Sequence, residues 1–144
     1  MASIYLLGRS GYAAGAAEAA AIAAASNGAA LTICKADISL KEDLAAVFVA
    51  PPQGHHLQGI IHASGLLADA TIANQTLASL RGVFAPKVVP VGAWQEGIGR
   101  QPMALQVLFS SVAAMLGAPG QANYGTANAW LDSAMQGAQQ QVGS

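Results

Sequence analysis

Short apolar runs recur along the chain, each closed by glycine, serine or an acid, with stretches of helical composition between them. Ser3 to Leu7 is a strand candidate that ends at Gly8-Arg9-Ser10-Gly11, and Ala30 to Ala36 is the next, closed by Asp37. Leu57 to Ala63 gives a third, followed by Ser64-Gly65, and Leu105 to Ser110 a fourth. The alanine-dense stretch from Ala13 to Ser26 has high helix propensity, and Asn27-Gly28 stops it. Ser39 and Lys41-Glu42-Asp43-Leu44 open a helix to about Val49, with acids in the first turn where the helix dipole favours them. Pro51-Pro52-Gln53-Gly54 breaks it. Thr76 to about Pro86 is predicted helical, and Pro90, which has no N–H to donate, is expected to kink or end any continuation. After Gly117-Ala118-Pro119-Gly120, Gln121 to Gln140 reads as a long helix.

Strands alternating with helices predict an α/β fold, a Rossmann-like parallel sheet with helices on both faces. In such sheets ligands bind beyond the carboxyl ends of the strands. Gly8-Arg9, Asp37, Gly65 and Ser111 all fall at such ends.

Composition narrows the setting. A chain of 144 residues suits one domain or part of one, and is short for a complete nucleotide-binding sheet of this kind, so residues 1–144 are read as one partial domain. Only 9% of residues are charged while 53% are hydrophobic, against roughly 25% charged in ordinary soluble domains. Such a surface is expected to be covered by other parts of a larger body. The net charge is −1 with no basic or acidic run, which argues against nucleic-acid and membrane-surface partners and for small molecules or protein. Cys34, the single cysteine, lies in the apolar run Leu31-Thr32-Ile33-Cys34 and is expected to be a buried structural thiol. Ala13 to Ala25 lacks the charged start and cleavage site of a secretory signal, and no run has the ~20 strongly apolar residues of a membrane span. A soluble, cytoplasmic chain is the expectation. His55 and His56 lie in a turn and His62 ends a strand, so no metal site is expected.

The candidate chemistry is densest toward the C-terminal end. Tyr124 and Asn128 stand four apart on a predicted helix and share a face. Ser110-Ser111 follow a strand, where an α/β sheet presents hydroxyls to ligand. A tyrosine can protonate an alkoxide only if its pKa of about 10 is lowered, which a nearby ammonium does by favouring the phenolate. Lys87, set in Phe84-Ala85-Pro86-Lys87-Val88-Val89, is the natural supplier, since an ammonium is costly to bury there without a purpose. Taken singly, these are a helix face, a loop start and a snorkelling lysine. Their joint order and spacing favour the chemical reading.

At these residues a specific resemblance appears. Val107-Leu108-Phe109-Ser110-Ser111, Leu116-Gly117-Ala118-Pro119-Gly120-Gln121-Ala122-Asn123-Tyr124 and Ala127-Asn128-Ala129 resemble the catalytic stretch of ketoreductase domains in modular polyketide synthases. Those belong to the short-chain dehydrogenase/reductase superfamily. Most of that superfamily has a lysine four after the tyrosine; these ketoreductases have an asparagine there and the lysine far upstream. Asn128 stands at that place here, and the separations 124 − 111 = 13 and 124 − 87 = 37 follow the family pattern.

The resemblance covers nearly the whole chain and implies roles for further residues. Leu6-Leu7-Gly8-Arg9-Ser10-Gly11 is similar to the family's second strand, whose arginine and polar neighbour hold the 2′-phosphate of NADPH; a guanidinium fork suits phosphate, although a surface arginine in a turn is the plain alternative. Asp37 and Ile38 resemble the pair beside the adenine, and His62-Ala63-Ser64-Gly65 the strand end under the nicotinamide ribose. By resemblance the first strand, the glycine-rich loop that follows it and the last strands have no counterpart here, which leaves a gap in the middle of the sheet. The sequence around Val89-Pro90 departs from the family's, which affects the local helix geometry.

The implied reaction is NADPH-dependent reduction of a β-ketoacyl thioester on an acyl carrier protein, within a multidomain synthase of polyketide or fatty-acid type. In it Tyr124 gives a proton, Ser111 binds the carbonyl oxygen, Lys87 lowers the tyrosine pKa and Asn128 orders the proton relay. An aspartate 124 − 69 = 55 residues before the tyrosine accompanies the B-type of these domains, which makes Asp69 a stereocontrol residue. The A-type tryptophan, eight before the tyrosine, is replaced by Leu116, and Ala68 stands where a second acid is usual. Other readings are a non-enzymatic structural half-domain, a truncated gene product, or a stand-alone short-chain reductase of small ketones. The last is disfavoured by the exchanged lysine and asparagine.

Overall fold

The computed structural model describes residues 2–11, 16–49, 57–98 and 104–142, which fall into two compact units, Met1–Pro52 and Gln53–Ser144. In the first unit, β1 (Ala2–Gly8) pairs in parallel with β2 (Ala29–Lys35), from Ala2↔Ala29 to Gly8↔Lys35. Parallel neighbours require a crossover, which α1 (Ala16–Ser26) supplies. The turn after β1 closes with Gly11 N–H donating to the Gly8 carbonyl at 3.1 Å, and that carbonyl also accepts from Ala36 N–H. Gly11 has φ +65°, and a Cβ there would stand 2.7 Å from Lys35 Cβ, so both conformation and space call for glycine. Helix α2 (Lys41–Val49) buries Leu44.

In the second unit, β3 (Gly59–His62) pairs in parallel with β4 (Leu105–Leu108), from Gly59↔Leu105 to His62↔Leu108. Helix α3 (Leu77–Ala93) starts at a capping box formed by Thr76 and Ser79 and passes into a π-helical turn, Trp94–Ile98. A short α4 (Ala113–Leu116) and a long α5 (Ala122–Val142) follow β4. The core of this unit is Val83 and Val91 of α3 with Ala127 and Leu131 of α5. Where α4 meets α5, a Cβ on Gly125 would lie 2.9 Å from the Ala113 carbonyl oxygen, so glycine sets that approach.

The predicted element order and parallel pairing hold. Three expectations are corrected. Pro90 does not end the third helix, which passes through Pro86 and Pro90 to Ala93. Burial of Val83, Pro90 and Val91 on one side outweighs the lost helical hydrogen bonds. The Gly82 carbonyl, deprived of a donor by Pro86, belongs to an exposed residue open to water. Strands β3 and β4 are also shorter than predicted, β3 running only from Gly59 to His62 and β4 from Leu105 to Leu108. Cys34 is half-buried and not fully enclosed, on a strand with an exposed face. Residues 13–15 of the first predicted helix, the break at residues 51–54 and the turn histidines His55 and His56 lie outside the described residues.

Among the described residues no helix is long and apolar enough to cross a membrane, and no cluster of His, Cys, Asp or Glu could hold a metal ion. The two strand pairs are separate two-stranded sheets. Strand residues Ile4 and Ile61 are 47% and 66% exposed. Two-stranded sheets are marginal by themselves. The purified 144-residue chain is therefore expected to melt without a cooperative transition by circular dichroism, and a sharp sigmoidal transition would contradict this.

Candidate active site

The site grows from the ends of β3 and β4. Phe109 N–H donates to the His62 carbonyl at 2.9 Å, extending the strand pairing by one residue. The Phe109 carbonyl, pointing the other way, accepts from Lys87 Nζ at 2.8 Å. Lys87 sits on the buried side of α3, only 3% exposed. Its pKa is lowered because burial penalises the ammonium, while the Asp132 carboxylate on α5 acts in the opposite sense. The same ammonium lies 5.8 Å from the centroid of the Tyr124 ring, inside the range of a cation–π contact.

Tyr124 is in the first turn of α5, held through its own backbone. Its N–H is capped by Asn123 Oδ1 at 2.7 Å, and its carbonyl accepts from Asn128 Nδ2 at 2.8 Å. Asn128 is fully buried and its Oδ1 has no partner. Ser111 follows β4, with its Oγ accepting from Ala113 N–H at 3.2 Å. Ala113 in turn touches Gly125, the residue after Tyr124, which brings the Ser111 turn beside the start of α5.

Ala63, Ser64 and Gly65 form an exposed segment after β3. A Cβ on Gly65 would stand 3.3 Å from Lys87 Cε and 3.8 Å from Tyr124 Cε2. The bare backbone therefore lies against both side chains. The next loop is pinned to the residues before Tyr124. Asp69 Oδ2 accepts from Gln121 Nε2 at 3.0 Å, the Ala68 carbonyl from Asn123 Nδ2 at 2.8 Å, and the Gly120 carbonyl from Ala70 N–H at 2.9 Å.

In the first unit, Arg9 and Ser10 are exposed at the end of β1. Asp37 and Ile38 follow β2, and the Gly8↔Lys35 pairing sets the two strand ends side by side. The Asp37 carboxylate has local work: Oδ1 accepts from Ser39 N–H at 2.9 Å, and the Asp37 N–H is taken by Asp43 Oδ2 at 2.7 Å. Lys35, next to the Gly11 turn, adds a cation that the sequence reading did not single out.

Lys87, Tyr124, Asn128 and Gly65 are thus brought together by direct contacts, and Ser111 is placed next to them through Ala113. Asn123 and Phe109 were missed. Phe109 contributes only a backbone carbonyl, for which residue type gives no signal. Asn123 had one: a second amide side chain directly before the tyrosine, at the start of the predicted helix.

Comparison with known proteins identifies the family. A family model described as "KR domain" matches residues 1–143. The chain is 38% identical over 97 residues to polyketide synthase GfsA of Streptomyces halstedii, covering 67% of this chain and 1% of that protein. It is 45% identical over 94 residues to phthioceranic/hydroxyphthioceranic acid synthase of Mycobacterium bovis (strain BCG / Pasteur 1173P2), covering 64% of this chain and 4% of that one. Among solved structures, A-type ketoreductases from a modular polyketide synthase superpose with a TM-score of 0.87 at 33% identity, covering 99% of this chain and 30% of theirs. A short-chain dehydrogenase/reductase from Vibrio parahaemolyticus, at 10% identity and a TM-score of 0.75, shares the fold, covering 99% of this chain and 66% of that one. The chain therefore spans a small part of the curated relatives and about a quarter to a third of the matched ketoreductase chains. By the family match over nearly its whole length, the chain belongs to the ketoreductase (KR) domains, of the kind found in modular polyketide synthases.

Proposed function

We propose that this chain carries the proton-transfer half of an NADPH-dependent reduction, turning a β-ketoacyl thioester on an acyl carrier protein into the β-hydroxyacyl product. The observation that carries the reading is the buried Lys87 ammonium beside the Tyr124 ring. NADPH, when bound, supplies hydride to the β-carbon. Tyr124 gives its phenolic proton to the carbonyl oxygen as negative charge develops there, and the Lys87 ammonium stabilises the charge that the tyrosine then carries. Ser111 Oγ already accepts from Ala113 N–H, so its own proton is free to hydrogen-bond the same carbonyl oxygen. Asn128 keeps a buried carbonyl oxygen available for the relay that returns a proton to Tyr124.

Each unit, taken by itself, offers groups of the kind a dinucleotide needs. The exposed backbone of Ala63, Ser64 and Gly65 offers peptide groups to a ribose beside Lys87 and Tyr124. Arg9, with Ser10, would hold the 2′-phosphate, and Asp37 with Ile38 would flank the adenine. Catalysis belongs to a complete domain within a multidomain synthase, and the chain alone is proposed to be inactive.

For the face of reduction we propose the B-type outcome. Asp69 is held beside the start of α5 by Gln121, and Leu116, at the A-type tryptophan's position, is 81% exposed. The A-type and A1-type descriptions of two similar solved structures concern those proteins.

These readings are testable in a ketoreductase domain completed around this chain with the flanking segments of a related one. Tyr124→Phe is expected to lower ketone reduction by roughly 10²-fold or more, because no neighbour supplies a proton from that position. Near-parental turnover would remove the tyrosine from its role. Chiral analysis of the parental product should give the B-type configuration, and an A-type product refutes the assignment to Asp69. Arg9→Ala should weaken NADPH binding in fluorescence titration and leave NADH nearly unaffected. Equal weakening of both would make Arg9 a residue of the fold.

A further inference from the structure

The loop that carries Asp69 has little burial to hold it. Leu67 is 58% exposed, and Asp69 is exposed as well. Hydrogen bonds set its position instead. The Asp69–Gln121 bond is itself exposed, so water competes for both partners and the net contribution is small. The bond from Asn123 Nδ2 to the Ala68 carbonyl, 2.8 Å long, is of another kind, because Asn123 is only 1% exposed. A buried amide has no water to turn to, and leaving it unpaired costs more than the bond itself contributes.

The other end of that amide meets the backbone of Tyr124. The first N–H groups of a helix have no intrahelical partner. In α5 the helical ladder opens with Gly125 N–H donating to the Gln121 carbonyl at 2.8 Å, and the carbonyl that Tyr124 N–H would use, on Gly120, is taken by Ala70 N–H at 2.9 Å. Asn123 Oδ1 accepts from Tyr124 N–H at 2.7 Å in its place. The loop thus occupies one acceptor of the helix start, and Asn123 makes good the loss while gripping the same loop. The two partners fix the orientation of the amide, since a carbonyl can only accept and an N–H can only donate. From the far side Gln75 Nε2 donates to the Ala70 carbonyl at 3.1 Å, so residue 70 stays anchored if residue 68 is released.

We propose that Asn123 is a positioning residue that sets the face of reduction: by holding the Ala68 carbonyl and the Tyr124 N–H on one amide, it fixes Asp69 relative to the tyrosine. The proposal rests on the role given to Asp69 above. A preference between faces is a ratio of two rates, and a small displacement of an orienting group relative to the proton donor changes that ratio before it abolishes turnover.

The test uses the completed ketoreductase domain and chiral analysis of its product. Asn123→Asp, ionised at about pH 8, keeps an acceptor for Tyr124 N–H and removes the donor to Ala68. It should raise the share of the opposite configuration about tenfold, the size expected for one buried hydrogen bond, with total turnover lowered by less than the ratio changes. Asn123→Ala loses both bonds and should lower kcat as well. Because Asn123 acts through the Asp69 loop, Asn123→Asp added to Asp69→Ala should change the ratio no further. A parental ratio in Asn123→Asp, with or without a lowered melting temperature, overturns the proposal, and so does an additive effect in the double variant. NMR of the unaltered domain decides even if a variant fails to fold: coupling across the hydrogen bond from Asn123 Nδ2 to the Ala68 carbonyl carbon is expected, and side-chain amide protons that exchange with water as fast as exposed ones overturn it. If Asp69→Ala alone leaves the ratio parental, it is the role of Asp69 that fails, and the hold of Asn123 on Ala68 is still decided by that coupling.

Discussion

An ammonium buried in the second unit constrains everything around it. Water would solvate it at little cost, whereas in an apolar setting it must be met by oriented oxygens or give up its proton. Lys87 is met by one backbone carbonyl at 2.8 Å and by the π face of Tyr124. That carbonyl belongs to Phe109, whose N–H completes the pairing of β4 with β3. The strand pairing, the course of α3 and the position of the tyrosine are therefore tied to a single charge.

The same charge explains features that look unrelated in the sequence. Gly65 has no side chain because a Cβ would press on Lys87 Cε. Asn123 and Asn128 spend their side chains on the backbone around Tyr124, so the first turn of α5 is set by hydrogen bonds as well as by packing. The helix that carries the lysine contains two prolines, and it persists because its buried side is well packed.

Much of this is legible from residue order. Alternation of apolar runs with helical stretches predicts the elements in order, and the spacing of Lys87, Ser111, Tyr124 and Asn128 points to the site without any geometry. The course of α3 is not legible, because a local rule for proline cannot weigh tertiary burial of Val83 and Val91 against a lost hydrogen bond. Nor is the partner of Lys87, since a backbone carbonyl leaves no trace in residue type. His62 reads only as a strand end.

The central claim is that Lys87 is held, charged, in a site that burial makes unfavourable for an ammonium. Titration of its side-chain carbon by NMR in the completed ketoreductase domain, assigned by comparison with Lys87→Met, tests this most directly. The account predicts a midpoint clearly below the ordinary lysine value of about 10.4, with the resonance of a charged side chain below that midpoint. A midpoint at or above the ordinary value would contradict it, and would mean that Lys87 is solvated and not enclosed beside Tyr124.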